Sequence, residues 1–130
     1  MAVVPFKNEP LTDFSLPQNR EAFKQALELV QSRFGREYPL IIGGERIMTR
    51  ERILSTNPAN PKEIIGSVAK ADRELADKAM AAALAAFEEW SRVSPKARAR
   101  VLLRAASIMR RRKHEFSATM VVEIGKSWVE

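Results

Sequence analysis

The sequence contains no cysteine. That removes disulfides, thiolate metal ligands and thiol nucleophiles from the chemistry of these residues. Histidine occurs once, as His114, so no second imidazole or thiolate can share a metal with it. Long apolar runs are missing as well. None approaches the roughly 20 residues that a membrane-spanning helix needs, and no membrane partner is expected. The opening stretch from Met1 to Pro10 lacks the basic-then-apolar layout of a secretory leader. A cytoplasmic location is the expectation.

Glycine is scarce, with five in the chain. No G-x-G-x-x-G turn is present, and Gly125-Lys126-Ser127 carries only the tail of a G-x-x-x-x-G-K-[ST] loop, because Met120 stands where its first glycine belongs. No cofactor-binding residue is therefore assigned. Carboxylates are scattered, and Glu88 and Glu89 point to different sides of a helix. No catalytic residue is assigned either. Acids are absent from residues 91–113, where nine Lys or Arg fall: Arg92, Lys96, Arg98, Arg100, Arg104, Arg110, Arg111, Arg112 and Lys113. This asymmetry underlies the net charge of +6, from 22 basic and 16 acidic side chains. A helix with such a face could lie on nucleic acid phosphates. The stretch holds no aromatic side chain for stacking, so a solvated or internally paired face is the favoured reading and no nucleic acid partner is expected.

What is present suits one globular domain. The chain has 130 residues, 45% hydrophobic and 29% charged, and a chain of that size buries about two-thirds of its unfolded surface. Residues 1–38 read as an arm followed by a helix. Pro5, Pro10 and Pro17 keep the arm irregular. Phe6, Leu11, Phe14 and Leu16 give it reason to lie on a body. The helix begins at Gln18 or Asn19, carries the stripe Ala22, Phe23, Ala26, Leu27 and Val30, and ends at Gly35.

Residues 39–70 read as short strands. Leu40-Ile41-Ile42 and Glu45-Arg46-Ile47-Met48 flank Gly43-Gly44, a pair suited to a tight hairpin. Arg52 to Thr56 predicts a further strand, Asn57-Pro58-Ala59-Asn60-Pro61 a turn, and Ile64 to Ala69 another strand. Gly66 inside that strand marks a bulge or a close backbone approach.

Residues 71–130 read as helices. Asp72 caps the first, with Glu74 near its positive end and a stripe of Ala76, Ala79, Met80, Ala83, Phe87 and Trp90. Met80, Phe87 and Trp90 are expected to be buried. Ser94-Pro95 opens a second, striped by Ala99, Leu102, Leu103, Ala106 and Met109. Phe116, Met120 and Ile124 lead a third that closes at Gly125. Ser127 and Glu130 have capping-box spacing. That spacing would open another helix, so these residues are expected to be the front of a longer protein. Taken alone, the segment predicts α+β: short antiparallel strands plus three to four helices.

An ordered set of these motifs resembles the amino-terminal region of the aldehyde dehydrogenase superfamily. It comprises Leu40 to Glu45, Asn57-Pro58-Ala59, Ile64 to Val68, the Ala83–Phe87–Trp90 stripe, Arg98, Leu102 and Leu103, and Glu123-Ile124-Gly125-Lys126. Phe6 to Pro10, Asp13-Phe14 and Glu37 to Leu40 resemble the arm of its 1-pyrroline-5-carboxylate dehydrogenase branch. The resemblance implies an α/β fold, with residues 1–130 an incomplete part of a Rossmann-like NAD-binding domain. It implies NAD as cofactor, a small-molecule aldehyde as substrate and a homo-oligomer. The reaction implied is oxidation of glutamate γ-semialdehyde to glutamate in proline degradation, through a cysteine nucleophile and a glutamate base that this sequence does not supply. Another aldehyde dehydrogenase branch is the nearest alternative, and the basic helical nucleic-acid module the more distant one. Some members of the family hold a monovalent cation through carbonyl oxygens of the strand before Asn-Pro and a carboxylate before Gly-Lys; the matching positions are Ser55, Thr56 and Glu123, and oxygen ligands suit such a hard ion. A solvated Glu123 is the competing expectation.

Overall fold

The computed structural model describes residues 5–130. The first four residues of the expected arm lie outside the described residues. Helix α1 (Pro17–Gln31) starts one residue earlier than the pattern suggests, because Pro17 supplies a fixed φ where no N–H is missed. Its N-cap, Leu16, offers no side-chain oxygen. The entry is stitched instead by the arm. Asp13 Oδ1 accepts from Ser15 N at 2.9 Å, and Arg20 Nη1 donates to the Phe14 and Ser15 carbonyls, both at 2.7 Å.

Strands β1 (Arg36–Tyr38), β2 (Leu40–Ile42), β3 (Glu45–Ile47), β4 (Arg52–Asn57) and β5 (Asn60–Ala69) follow. Strands β2 and β3 form the expected hairpin, with φ of 58° at Gly43 and 86° at Gly44. Two positive values are what its two-residue turn requires. The other three form a sheet in the order β1-β5-β4. That sheet corrects the all-antiparallel expectation, since β1 runs parallel to β5 with Arg36 opposite Gly66. Three residues of mixed polarity carry no period, so β1 exists because the edge of β5 is there to pair with. Gly66 satisfies both readings made of it. Ser55 pairs with Gly66 and Thr56 with Ile64, so Ile65 is the extra residue of a bulge. A Cβ on Gly66 would stand 3.0 Å from the Arg36 carbonyl oxygen and 3.2 Å from the Tyr38 ring.

Helices α2 (Arg73–Trp90), α3 (Pro95–Arg111) and α4 (Lys113–Ile124) complete the fold. Asp72 caps α2 by accepting from Leu75 N at 2.8 Å, and Ser94 caps α3 by accepting from Ala97 N at 3.3 Å. Gly125 closes α4 in the left-handed region. Ser127 and Glu130 do bond to each other, N to Oε2 at 2.9 Å, but no helix is formed there.

The core lies between α1 and α4. Phe23, Ala26 and Val30 meet Ala118 and Val122, with Phe14 and Trp128 packed at the border. Phe23 is the centre: its ring lies 5.3 Å from that of Phe14, 4.9 Å from Trp128 and 5.9 Å from His114. Two expectations are corrected here. The α4 face that packs is Ala118 and Val122, while Phe116, Met120 and Ile124 stay exposed. The two sets lie on opposite faces of the helix, about 180° apart, and the small Ala118 lets the backbones approach where Met120 would hold them off. The α2 and α3 stripes are formed but bare: neither helix has a buried residue, and Met80, Phe87, Trp90, Leu102, Leu103 and Met109 are all exposed. Apart from the arm, which shares a groove with Met109, nothing among the described residues covers them.

A charged tie joins the core helices. Glu115 on α4 accepts from Arg112 at 2.7 and 2.8 Å and from Arg33 beyond the end of α1. Hydrogen bonds from Arg112 first, then Arg33, hold its carboxyl at about 2, below the ordinary 4.5. A depressed carboxylate stabilises the fold above its unfolded pKa and ceases to do so as pH falls through its folded pKa. This contribution is thus complete above pH 4.5 and fades towards pH 2. Glu115→Gln is expected to cost about 1–2 kcal/mol near neutrality, discounted for two partly exposed arginines. Urea midpoints of the two proteins should converge as pH falls through that window; a difference that persists unchanged to its lower end contradicts the tie.

Candidate functional site

The chain's most specific polar junction joins β4 to the end of α4. Ser55 lies opposite Gly66 at the bulge, and its Oγ donates to Glu123 Oε1 at 2.8 Å. Below it, the α4 terminus seats on the turn after β4. A Cβ on Gly125 would stand 3.1 Å from Pro58 Cγ, so the left-handed glycine also permits close contact. The turn is held by Asn57, whose Oδ1 accepts from Ala59 N at 2.9 Å and whose Nδ2 donates to Glu63 at 2.6 Å. Two motifs distant in sequence, Asn57-Pro58 and Glu123-Ile124-Gly125, therefore share one place.

Of the three residues singled out for a cation, Ser55 and Glu123 are joined directly, while Thr56 stands next along β4 at the register shift. The bond sets the Glu123 carboxylate beside the β4 backbone, and carbonyl and carboxylate oxygens are both hard ligands. Among the described residues, no group of three or more acidic, histidine or cysteine side chains converges on one point. His114 is a packing residue: its ring meets Phe23 edge-on.

The glycines do not fit a nucleotide. Gly35 follows α1, Gly43 and Gly44 form the hairpin, Gly66 lies within β5, and Gly125 ends α4. None opens a helix, where a pyrophosphate would need free backbone N–H groups. The basic stretch is partly tied into the protein. Arg110 and Lys113 reach Glu9, Arg111 donates to Ser107, and Arg112 bonds Glu115 while lying 5.2 Å over the Phe116 ring. No helix among the described residues is long and apolar enough to cross a membrane.

Trp128 is the residue that sequence reasoning passed over. It stands beyond the last helix and has no periodic neighbours, so only its size could have flagged it as the lid of the Phe14–Phe23 cluster.

This arrangement of strands, bulge and helix end recurs in known proteins. The pattern of the aldehyde dehydrogenase family matches residues 47–130. The chain belongs to that family. It is 62% identical over 128 residues to the 1-pyrroline-5-carboxylate dehydrogenase of Geobacillus thermodenitrificans, covering 98% of this chain and 25% of that protein. The protein of the same name from Bacillus cytotoxicus is 56% identical over 128 residues, with the same coverage. Among solved structures, the Thermus 1-pyrroline-5-carboxylate dehydrogenase with bound NAD superposes with a TM-score of 0.95 at 48% identity, over 99% of this chain and 25% of that one. The Mycobacterium tuberculosis Delta-pyrroline-5-carboxylate dehydrogenase does so with 0.86 at 27% identity, over 99% and 24%. The chain thus spans about a quarter of the length of the relatives it matches. It has the fold of their amino-terminal region: α/β, with short strands and four helices.

Proposed function

We propose that this chain is the amino-terminal part of the NAD-binding domain of a dehydrogenase that oxidises L-glutamate γ-semialdehyde, the open form of 1-pyrroline-5-carboxylate, to glutamate. The observation that carries this reading is the 62% identity across 128 residues, which takes in the arm as well as the family pattern. An arm that falls within the shared stretch argues for this branch against other aldehyde dehydrogenases.

Within that protein the chain's own residues act as scaffold. The α1–α4 core and the β1-β5-β4 sheet hold the segment together. The bare stripes of α2 and α3 offer apolar surface for the rest of the polypeptide to cover. The nucleotide and the reacting aldehyde are handled by residues this chain does not contain, so no chemical step is assigned to it. Ser55, Thr56 and Glu123 are proposed to contribute to a monovalent cation site; the Ser55–Glu123 bond and their oxygen donors support it. We further propose a homo-oligomeric cytoplasmic enzyme with no nucleic acid or membrane partner.

The test is substrate discrimination by the full-length protein. Its kcat/KM with NAD should favour glutamate γ-semialdehyde over propanal by about 100-fold or more, as expected of a site built to pair buried polar groups with its substrate. Equal efficiencies would remove the branch assignment and leave the family untouched.

A further inference from the structure

The arm ahead of α1 is fastened unlike the rest of the fold. Among the described residues, 5–12 lie in no helix or strand, and no backbone hydrogen bond ties their N–H groups to the body. Phe6 is 85% exposed and Leu11 81% exposed, so apolar burial contributes little to holding these residues down. Firm anchoring begins at Asp13 and Phe14, where the arm enters the aromatic cluster.

What holds the outer part is one carboxylate and one backbone carbonyl. Glu9 Oε2 lies 3.5 Å from Arg110 Nε, and Glu9 Oε1 lies 3.7 Å from Lys113 Nζ. The same ammonium donates to the Pro10 carbonyl at 2.7 Å. Arg110 belongs to the last turn of α3 and Lys113 to the first residue of α4. Between them Arg112, with φ −103° and ψ 21°, breaks the two helices apart. Glu9 therefore bridges the joint between α3 and α4, and α3 has no buried residue of its own to fix its direction. Beneath the strap runs a groove of about 410 Å³ floored by Ala106, Met109 and Phe116.

We propose that residues 5–12 form an electrostatic strap across the α3–α4 joint, hinged at Asp13 and released by salt. The pairs are at least partly exposed to solvent, so screening acts on them. Release frees the joint and uncovers the groove. Lys7, on the strap's outer end and without a side-chain partner among the described residues, gives a built-in reporter.

Trypsin cleavage after Lys7 tests this in the full-length protein, with free peptides spanning the arm used to normalise the protease's own response to salt. Cleavage of a segment that opens and closes quickly tracks the open population. At about 20 mM salt, Glu9→Gln should be cut about fivefold faster than the parent. Raising salt to about 500 mM should accelerate the parent by a similar factor and leave the variant unchanged. Lys113→Met leaves the cleaved sequence intact, removes the Pro10 bond as well, and at low salt should be cut at least as fast as Glu9→Gln. Equal rates for parent and both variants at low salt, or salt acceleration that persists in the variants, would overturn the strap.

Discussion

Phe23→Ala is expected to cost this fold about 3–5 kcal/mol, the range for truncating a core aromatic. Phe23 is 1% exposed and touches everything that defines the core: Phe14 on one side, Trp128 and His114 on the others, with Ala26, Val30, Ala118 and Val122 in the same cluster. Removing its ring leaves a void that the flanking aromatics, fixed by the arm and by residues beyond α4, cannot fill by small shifts. Phe87→Ala in the same short chain should cost less than about 1 kcal/mol, because surface substitutions away from special features do little. Phe87 is 61% exposed. In the full-length protein, where we propose the α2 stripe is covered, Phe87→Ala should rise to about 3–5 kcal/mol. Urea denaturation of both variants in both contexts reads the contrast. A small loss from Phe23→Ala contradicts the core described here, and a Phe87 cost that does not grow with chain length contradicts the scaffold role.

The sequence was most readable where local chemistry decides the outcome. Asp72 and Ser94 cap the helices they were expected to cap, and Gly125 ends α4 as a left-handed residue must. Gly43-Gly44 turns the hairpin, and Gly66 marks both a bulge and a close approach. In each case a single residue type is required by a backbone conformation or by an unsatisfied amide, so the signal sits at one position. It was least readable where a partner decides. Strand β1 has no pattern and exists through its parallel pairing with β5. The larger side chains of α4 suggest one stripe, yet the face that packs is the one with Ala118, because close helix approach favours the small residue. The α2 and α3 stripes were correctly phased as apolar faces, but periodicity says only that a face seeks cover, not that these residues supply it.

For the candidate site, sequence order carried the signal. Ser55 and Glu123 were paired through a family resemblance, and the fold brings their side chains to hydrogen-bond distance. No periodicity or spacing links two positions so far apart. The arm showed the converse: its prolines foretold irregular backbone, and its four apolar residues foretold attachment, but only Phe14 enters the core while Glu9 provides the outer fastening. Charge pairing of that kind depends on where α3 ends, which no local pattern in the arm records.

In the function proposed above, these residues are dehydrogenase scaffold and hold none of its chemistry. The chain has no cysteine to attack an aldehyde and no glycine turn at a helix N-terminus to seat a pyrophosphate. The most direct measurement follows NADH absorbance with glutamate γ-semialdehyde and NAD, for the 130-residue chain and for the full-length protein side by side, with calorimetric titration of NAD into the short chain. The short chain should show no turnover and no tight NAD binding, and the full-length protein should form NADH. Turnover by the short chain, or a full-length protein that is folded and keeps a cysteine yet leaves the semialdehyde unoxidised, would contradict the proposed function.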